Sequence, residues 1–269
     1  MRVCLLASGS RGNAALIEAD GCRLLVDAGL SAREIDRRLA TLELDGNDLH
    51  AILVSHEHHD HTVGIGPLAR RYQLPVYIDT KTVKQLPKLG KIDDLRYFEA
   101  GDQISFHDLN IETFSTAHDA VNPVGFTISS SEGRVGYATD LGLATRLVVE
   151  QLRNCRALVL EANHDEQMLL DGPYPWRLKQ RIRGRLGHLS NVDTLKLLKD
   201  ISWDGLEALF LAHLSDENNC PDLVQTLVAE VLSEIDGCQP MVVLGRQSIA
   251  STCYCGTGLP AQSLYKRAR

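Results

Sequence analysis

The sequence predicts an α/β fold in which two β-sheets pack together and helices cover their outer faces. Apolar segments of strand length cluster in both halves of the chain, helical patterns interrupt both clusters, and no linker or repeat divides them. The 269 residues and the 44% hydrophobic content suffice for an extensive core. We therefore expect residues 1–256 to form a single domain, and residues 257–269, with their Gly, Pro, Lys and Arg, to form a loose tail.

The N-terminal half is predicted to begin with short strands and then to alternate helices with strands. Gly, Asn and Asp separate the first three apolar segments, and these residues favour turns. The next segment has apolar and small residues near helical spacing, which predicts an amphipathic helix. The predicted strands are 3–7, 15–19, 23–26, 51–54 and 76–78, and the predicted helices are 32–42, 63–72 and 80–89.

The C-terminal half is predicted to begin with consecutive strands and to continue with helices placed between strands. The change of pattern comes near residue 138, after which helical periodicity returns. The predicted strands are 96–98, 103–106, 110–115, 124–129, 135–138, 157–160, 208–211 and 241–244, and the predicted helices are 145–153, 175–183, 192–200 and 221–235.

The acidic composition argues against general adhesion to nucleic acid or to anionic membranes. The formal net charge is −7, which leaves room only for a local basic patch. The sequence has no uncharged apolar run of about 18 residues, so no membrane span is predicted. Its first apolar stretch is too short for a signal peptide. We therefore expect a cytoplasmic protein with no membrane partner.

The seven cysteines are scattered, odd in number and mostly placed within apolar segments. Thiols in such segments usually behave as small buried hydrophobes, so the sequence predicts no disulfide framework and a reducing compartment. Cys253 and Cys255 form a CxC pair, but no second pair or nearby His completes the four ligands of a structural zinc site. Their role is left open.

The strongest chemical signal is the hexapeptide His-Glu-His-His-Asp-His at 56–61, directly after a predicted buried strand. Burying such groups without partners would cost several kcal/mol, so we expect them in a loop where they converge on an ion. Imidazole and carboxylate together suit zinc, iron or manganese better than magnesium or calcium. The candidate ligands are His56, His58, Asp60 and His61, whereas His59 is expected to face away.

Three later residues of ligand type each follow a predicted strand by two or three positions. They are His118, Asp140 and His213. The ends of strands are where α/β sheets place their sites, so these residues are expected to join the first group.

The order of HxHxDH, a single His, a single Asp and a single His resembles the metallo-β-lactamase superfamily over nearly the whole chain, to His213. The resemblance implies a four-layer αββα sandwich with two divalent metal ions, zinc or manganese with iron as an alternative, at the shared edge of the sheets. The implied ligands are His56, His58 and His118 for the first ion, Asp60, His61 and His213 for the second, and Asp140 as a bridge. His rather than Glu at position 58 departs from the flavodiiron pattern and favours a hydrolase.

Two segments narrow the class of substrate that the sequence predicts. Residues 8–13, Ser-Gly-Ser-Arg-Gly-Asn, can turn backbone N–H groups toward an anion, with Ser8, Ser10 and Asn13 as candidate contacts. Residues 176–185 carry five basic residues in ten positions, and on a helix Arg177, Arg181 and Arg185 would share one face while Lys179 and Arg183 would share the next. Such a stripe suits backbone phosphates, although a solvated helix face would look the same.

Residues 8–13, together with Glu-Ala-Asn-His-Asp at 161–165 and Gly-His-Leu-Ser-Asn at 187–191, resemble the YycJ (WalJ) group of that superfamily. The resemblance implies phosphodiester hydrolysis, with DNA as partner and substrate and with 5′-to-3′ exonuclease activity through a metal-bridging hydroxide. Asp60 and Asp140 are the candidates for orienting the water, and His188, or otherwise His164, for protonating the leaving 3′ oxygen. The remaining candidate substrate contacts are Asn163, Ser190 and Asn191, although Ser190 or Asn191 is equally well placed to cap a following helix.

Other activities fit the same ligands. A small-molecule or cyclic phosphodiesterase, or a β-lactamase, lactonase or thioesterase, would use the same metals, and the basic stripe disfavours neutral substrates. A one-iron persulfide dioxygenase is disfavoured by a full set of seven ligands. A non-catalytic nucleic-acid-binding scaffold is disfavoured because the ligand set is intact.

Overall fold

Two mixed β-sheets of seven strands each form the centre of the computed structural model, which describes residues 1–256. Most of their strands are apolar on both faces because each sheet is covered on both sides. One sheet contains β1 (Arg2–Ala7), β2 (Ala14–Ala19), β3 (Cys22–Val26), β4 (Ala51–Leu53), β5 (Val76–Asp79) and β6 (Leu95–Phe98) in that order, with β14 (Tyr254–Cys255) beside β1. The other contains, from edge to edge, β7 (Gln103–Phe106), β8 (Leu109–Ser115), β9 (Val124–Ser130), β10 (Gly133–Ala138), β11 (Ala157–Glu161), β12 (Ala208–Ala212) and β13 (Met241–Leu244).

Eight α-helices connect the strands within the described residues. They are α1 (Ala32–Ala40), α2 (His59–Thr62), α3 (Ile65–Tyr72), α4 (Arg146–Leu152), α5 (Glu166–Asp171), α6 (Trp176–Arg183), α7 (Asn191–Ile201) and α8 (Pro221–Ser233). Several begin at a side chain that accepts a hydrogen bond from a backbone N–H of the first turn, as Ser31 does for α1 and Ser190 for α7. No helix of residues 1–256 is long and apolar enough to cross a membrane.

Three apolar cores hold the layers together. The central core lies between the sheets and includes Phe126 and Phe210. A second core joins α4, α7 and α8 to the outer face of the second sheet, and a third joins α1 and α3 to the outer face of the first. The result is the predicted four-layer αββα sandwich.

The register of the strands brings their carboxyl ends together. In the first sheet β3, β4 and β5 run parallel, and in the second β10, β11, β12 and β13 run parallel. The two sheets meet at this end. The N–H of His213, just after β12, donates to Oγ of Ser8, just after β1, and the N–H of Val124, the first residue of β9, donates to the carbonyl of Ser55, just after β4. This shared edge is where the predicted ligand residues lie.

The predicted helix at 80–89 is wrong. The structure has only a 3₁₀ turn at Thr82–Gln85, because the Asp79 carboxylate accepts from the N–H groups of Lys81 and Thr82 and so holds a local turn. Pro87 then prevents the turn from continuing as an α-helix. Helices α2 and α5 and strand β14 are short and were not predicted from the sequence. The predicted tail at 257–269 lies outside the described residues.

Candidate metal centre

Sharp turns at the ends of three strands aim side chains into one site. Asp27 follows β3, Asp140 follows β10 and His213 follows β12, and all three have left-handed backbones, with φ of 58°, 55° and 56°. This region is uncommon for residues other than Gly and persists where the surroundings impose it, often at functional sites. At all three residues this conformation turns the backbone sharply at the edge where the two sheets meet.

A first cluster consists of three imidazoles. His56 Nε2 lies 3.1 Å from His58 Nδ1, and His118 Nε2 lies 3.3 Å from the same atom. His56 and His118 are buried, and a ligand atom from each of the three lies within 4.8 Å of the others. Three nitrogen donors that face one another in this way can hold one cation.

A second cluster consists of Asp60, His61 and His213, whose ligand atoms also lie within 4.8 Å of one another. Asp60 Oδ2 lies 3.7 Å from both His61 Nε2 and His213 Nε2. Asp140 reaches both clusters, because its Oδ2 is 3.2 Å from His61 Nε2 and its Oδ1 is 3.8 Å from His118 Nε2. The seven predicted ligands are therefore brought together in one place.

The donor atoms fit divalent cations. Asp140 Oδ2 and His213 Nε2 are buried and have no hydrogen-bond partner among the described residues. A buried polar atom without a partner is costly, and both atoms belong to the clusters above. Mixed imidazole and carboxylate donors are the set that zinc, manganese and iron prefer.

Asp27 orients His61 from behind. Its buried carboxylate lies 2.8 Å from His61 Nδ1 and also accepts from the N–H and hydroxyl groups of Ser55. A carboxylate on the rear nitrogen sets the tautomer that leaves the other nitrogen free for a metal. Asp27 was not among the predicted site residues, although its position directly after a strand was an available signal.

Glu161 at the end of β11 connects two histidines. Its Oε1 lies 2.8 Å from Nδ1 of both His188 and His213, and its Oε2 accepts from the Leu141 N–H. Glu161 is fully buried, whereas His188 is partly exposed. The carboxylate thus links a predicted ligand, His213, with the predicted proton donor, His188. The Glu-Ala-Asn-His-Asp motif contained Glu161, but no role had been assigned to it.

The charges of the site are mutually compensated. Burial opposes protonation of His213, but the carboxylates of Asp140, Asp60 and Glu161 outweigh it and raise its pKa to about 10. Burial opposes ionisation of Glu161, but His188 and His213 outweigh it and lower its pKa to about 2. The ionised carboxylates are therefore paired with positive charge, which is the role that a bound cation takes over.

The 8–13 loop touches the centre with some of its predicted residues. Asn13 Nδ2 donates to Asp60 Oδ2 at 3.2 Å and lies 3.0 Å from His61 Nε2. Ser8 is buried, and its hydroxyl accepts from the His213 N–H at 2.6 Å. Ser10 is exposed at the turn. Asn13 and Ser8 therefore position ligand residues, and Ser10 is the one of the three that faces solvent.

Some of the predicted substrate contacts at 161–191 likewise hold other residues in place instead of facing a substrate. Asn163 Nδ2 donates to the His213 carbonyl, Ser190 caps α7, and the Asn191 side chain pairs with Asn219. His164 is buried, its Nδ1 has no hydrogen-bond partner among the described residues, and burial lowers its pKa to about 4. His188, in contrast, shares a cluster with Asp140, Glu161 and His213, so of the two predicted proton donors it is the one that lies among the predicted metal ligands.

The basic segment lies beside the centre, but not as one regular stripe. The predicted shared face is wrong for Arg185, because α6 ends at Arg183 and Gly184 turns the chain. Lys179 is buried and donates to the Leu170 carbonyl, so it is not part of an exposed surface. Arg181 forms an ion pair with Asp119, the residue after His118.

The chain returns from this segment into the site at Gly187. Its carbonyl lies 2.9 Å from His118 Nδ1, and His188 follows at once. A Cβ at position 187 would clash with the carbonyl oxygens of Arg181 and Ile182. Only glycine therefore lets this segment pass the end of α6 closely enough to reach His118.

The sandwich with His and Asp clusters at its edge defines a class of proteins. A model of the β-lactamase superfamily domain matches residues 22–213, and the chain therefore belongs to this superfamily. Within it, the predicted resemblance to the YycJ (WalJ) group is confirmed. The chain is 39% identical over 233 residues to exodeoxyribonuclease YycJ of Bacillus anthracis, which covers 86% of this chain and 88% of the relative. It is 38% identical over 237 residues to exodeoxyribonuclease WalJ of Streptococcus pneumoniae, with the same coverage.

A solved structure supports the fold independently. The metallo-β-lactamase fold protein YhfI from Bacillus subtilis has a TM-score of 0.71 with this chain and 20% sequence identity, and the alignment covers 93% of this chain and 98% of that one.

Proposed function

We propose that this protein is a metal-dependent exonuclease that removes nucleotides from the 5′ ends of DNA. The observation that carries the proposal is its identity of 38–39% over 86% of the chain with proteins named exodeoxyribonucleases. The intact set of converging ligand residues supports hydrolysis rather than a purely binding role.

The centre has donors for two divalent ions, zinc or manganese, with iron as an alternative. His56, His58 and His118 would hold one ion, Asp60, His61 and His213 would hold the other, and Asp140 would contribute to both. The close approach of each trio of donor atoms and the unpartnered Asp140 Oδ2 support this assignment.

Side chains of this protein supply the remaining chemistry. When bound, the metal ions lower the pKa of a water molecule and stabilise charge on the phosphate. Asp60 and Asp140 orient the attacking water and accept its proton. His188, held by Glu161, donates a proton to the 3′ oxygen that leaves, so that its negative charge does not accumulate.

The surface beside the centre fits a polyanion with exposed bases. Arg177, Arg183 and Arg185 are exposed and form no ion pair within the described part of the chain. Trp176, at the start of the same helix, is 59% exposed. Unpaired guanidinium groups in a protein of net charge −7 attract phosphates, and an exposed indole can stack on a base. Arg181, paired with Asp119, and Ser10 lie closer to the centre and are proposed to contact the terminal phosphate.

The direct test is digestion of 3′-labelled duplex and single-stranded DNA by the protein loaded with Mn²⁺ or with Zn²⁺. Progressive shortening from the 5′ end is expected, and the double variant Asp60→Ala, His61→Ala should abolish it. If the loaded protein leaves DNA and RNA intact but cleaves bis-p-nitrophenyl phosphate or a cyclic nucleotide, the proposal is overturned in favour of a small-molecule phosphodiesterase.

Replacing Asp27 with Asn is expected to weaken metal binding by about 10- to 100-fold, because the carboxylate that orients His61 loses its charge. The measurement is competition for zinc with a chromogenic chelator. Asp79→Asn is the matched control, since Asp79 is an equally buried carboxylate that ends a strand but bonds to Lys81, Thr82 and Asn122 instead of a ligand residue. Equal affinities for the two variants would contradict the role of Asp27.

The triple variant Arg177→Gln, Arg183→Gln, Arg185→Gln is expected to bind DNA more weakly and with a shallower salt dependence. Each lost phosphate contact should reduce the slope of log K against log[salt] by about 0.7 to 0.9. The matched control removes three exposed arginines of α1 and α3, namely Arg33, Arg37 and Arg71. Turnover of bis-p-nitrophenyl phosphate should be unchanged in both triple variants. If the salt dependence of DNA binding is unchanged in the Arg177, Arg183, Arg185 variant, residues 176–185 are a solvated surface and not a DNA-binding one.

A further inference from the structure

Two cysteines face each other at the edge of the first sheet, outside the metal centre. Strand β14 pairs antiparallel with β1, and the register places Arg2 opposite Cys255 and Val3 opposite Tyr254. Cys4 and Cys253 are the next residues along the two segments from the Val3–Tyr254 pair, and the register shifts just beyond them, where the Ser251 N–H donates to the Leu5 carbonyl. Both side chains pack on the same apolar core beneath α1 and α3.

Hydrogen bonds on both sides of the two cysteines hold their strands together. The Gly256 N–H donates to the Met1 carbonyl, and the Ser251 N–H donates to the Leu5 carbonyl. Cys4 and Cys253 lie between these two bonds, on strands that are neighbours in the sheet. Residues opposite each other on antiparallel strands have Cα atoms about 4.5 to 5.5 Å apart, within the range that a disulfide spans.

The surroundings distinguish the two thiols. Cys4 is fully buried, whereas Cys253 is only partly buried. The neighbouring Cys4 thiol and the Arg2 guanidinium, opposed by burial, lower the pKa of Cys253 to about 7. The Cys253 thiol together with burial raises the pKa of Cys4. A partly exposed, ionisable thiol beside a protected thiol is the arrangement of a redox-sensitive pair.

We propose that Cys4 and Cys253 are a redox-active dithiol that closes to a cross-strand disulfide when a peroxide oxidises Cys253. The Cys253 thiolate attacks one oxygen of hydrogen peroxide and becomes a sulfenic acid, and the other oxygen leaves as hydroxide, which takes up a proton to become water. The Cys4 sulfur then displaces the hydroxyl of the sulfenic acid, and its proton leaves with that hydroxyl as a second water. Two thiols and one peroxide thus give one disulfide and two waters.

The disulfide would fix a segment that supports the metal centre. Between β13 and Cys253, the Arg246 carbonyl accepts from the Ser8 N–H, and the Gln247 side chain accepts from the Arg11 N–H and donates to the Gly12 carbonyl. The 8–13 loop in turn carries Asn13, which contacts Asp60. Oxidation would therefore link the segment between β13 and Cys253 covalently to β1. The disulfide itself would not contact the predicted metal ligands.

Cys255 is the competing partner and is poorly placed. Residues i and i+2 of an extended strand share a face but lie about 7 Å apart, at the limit of a disulfide. Cys253 and Cys255 are related in this way, whereas Cys4 and Cys253 lie on neighbouring strands, each one residue beyond the Val3–Tyr254 pair. The structure therefore favours the cross-strand partner.

The test is oxidation of the folded protein with an equivalent of hydrogen peroxide, followed by intact-mass measurement and peptide mapping under non-reducing conditions. We expect loss of the mass of two hydrogen atoms, a single linked peptide pair containing Cys4 and Cys253, and reversal by dithiothreitol. Cys255→Ser should behave like the unaltered protein, whereas Cys4→Ser should stop at an oxidised Cys253 that can be trapped with dimedone.

A rate measurement keeps the proposal falsifiable if a variant folds poorly. At pH 7, iodoacetamide should alkylate Cys253 up to about tenfold faster than an unperturbed peptide thiol, and Arg2→Gln should reduce that advantage. The proposal is overturned if the linked peptides contain Cys255 instead of Cys4, if the peroxide-treated protein carries only added oxygen, or if Cys253 reacts no faster than the peptide.

Discussion

Asp140→Ala is expected to reduce DNA hydrolysis by about a thousandfold or more and to reduce the metal content of the protein at the same time. Among residues 1–256, Asp140 is the carboxylate whose oxygens approach predicted ligand residues of both clusters, at 3.2 Å from His61 Nε2 and 3.8 Å from His118 Nε2. Without it, both clusters lose a donor and the imidazoles lose the charge that compensates their burial.

The measurement combines turnover of DNA with elemental analysis of bound metal. Asp140→Asn keeps the shape of the side chain and should show the same direction of change with better folding. Asp79→Ala is the control, because it removes a buried carboxylate from the end of a strand outside the centre. A fully active Asp140→Ala protein with its full metal content would refute the assignment of the site.

His188→Ala is expected to lower kcat on DNA by about 100- to 10,000-fold. The effect on bis-p-nitrophenyl phosphate should be only a few-fold, because its leaving group is stable as an anion and needs no proton. This contrast between substrates separates proton donation from a structural role of His188.

Two further variants sharpen the test. Glu161→Gln should impair both substrates, because Glu161 Oε1 contacts His213 as well as His188 and its loss should also reduce bound metal. His164→Ala should leave the difference between the two substrates intact, since His164 is buried outside the clusters. Equal losses on both substrates for His188→Ala, with the metal retained, would exclude it as the general acid.

Short-range patterns in the chain were enough to find candidate ligands that the structure brings together. His56, His58, Asp60 and His61 are close in sequence just after β4, and His118, Asp140 and His213 each follow a strand, so the rule that sites lie at strand ends points to all seven. The strands themselves were predictable because continuous apolar segments bounded by turn residues have few alternatives in a chain of this length.

Local patterns failed where a neighbour in space decides the outcome. Helical periodicity suggested that Arg177 and Arg185 share a face, but Gly184 ends α6 before Arg185. The same pattern could not show that Lys179 is buried and donates to the Leu170 carbonyl, which lies in another helix. Side-chain exposure depends on packing between elements, and sequence spacing contains no information on it.

The sequence by itself determined the class of fold, the order of most of its elements and the candidate metal-ligating residues, because residue type, local spacing and the resemblance to a known superfamily indicate them. Only the tertiary structure decided that Glu161 connects His213 to His188, that Asp27 orients His61, and that Cys4 and Cys253 lie on neighbouring strands beside the Val3–Tyr254 pair. These partners are separated by 27 to 249 positions in the chain. Their contacts depend on strand register and on the packing of one sheet against the other, which form only when the whole chain folds.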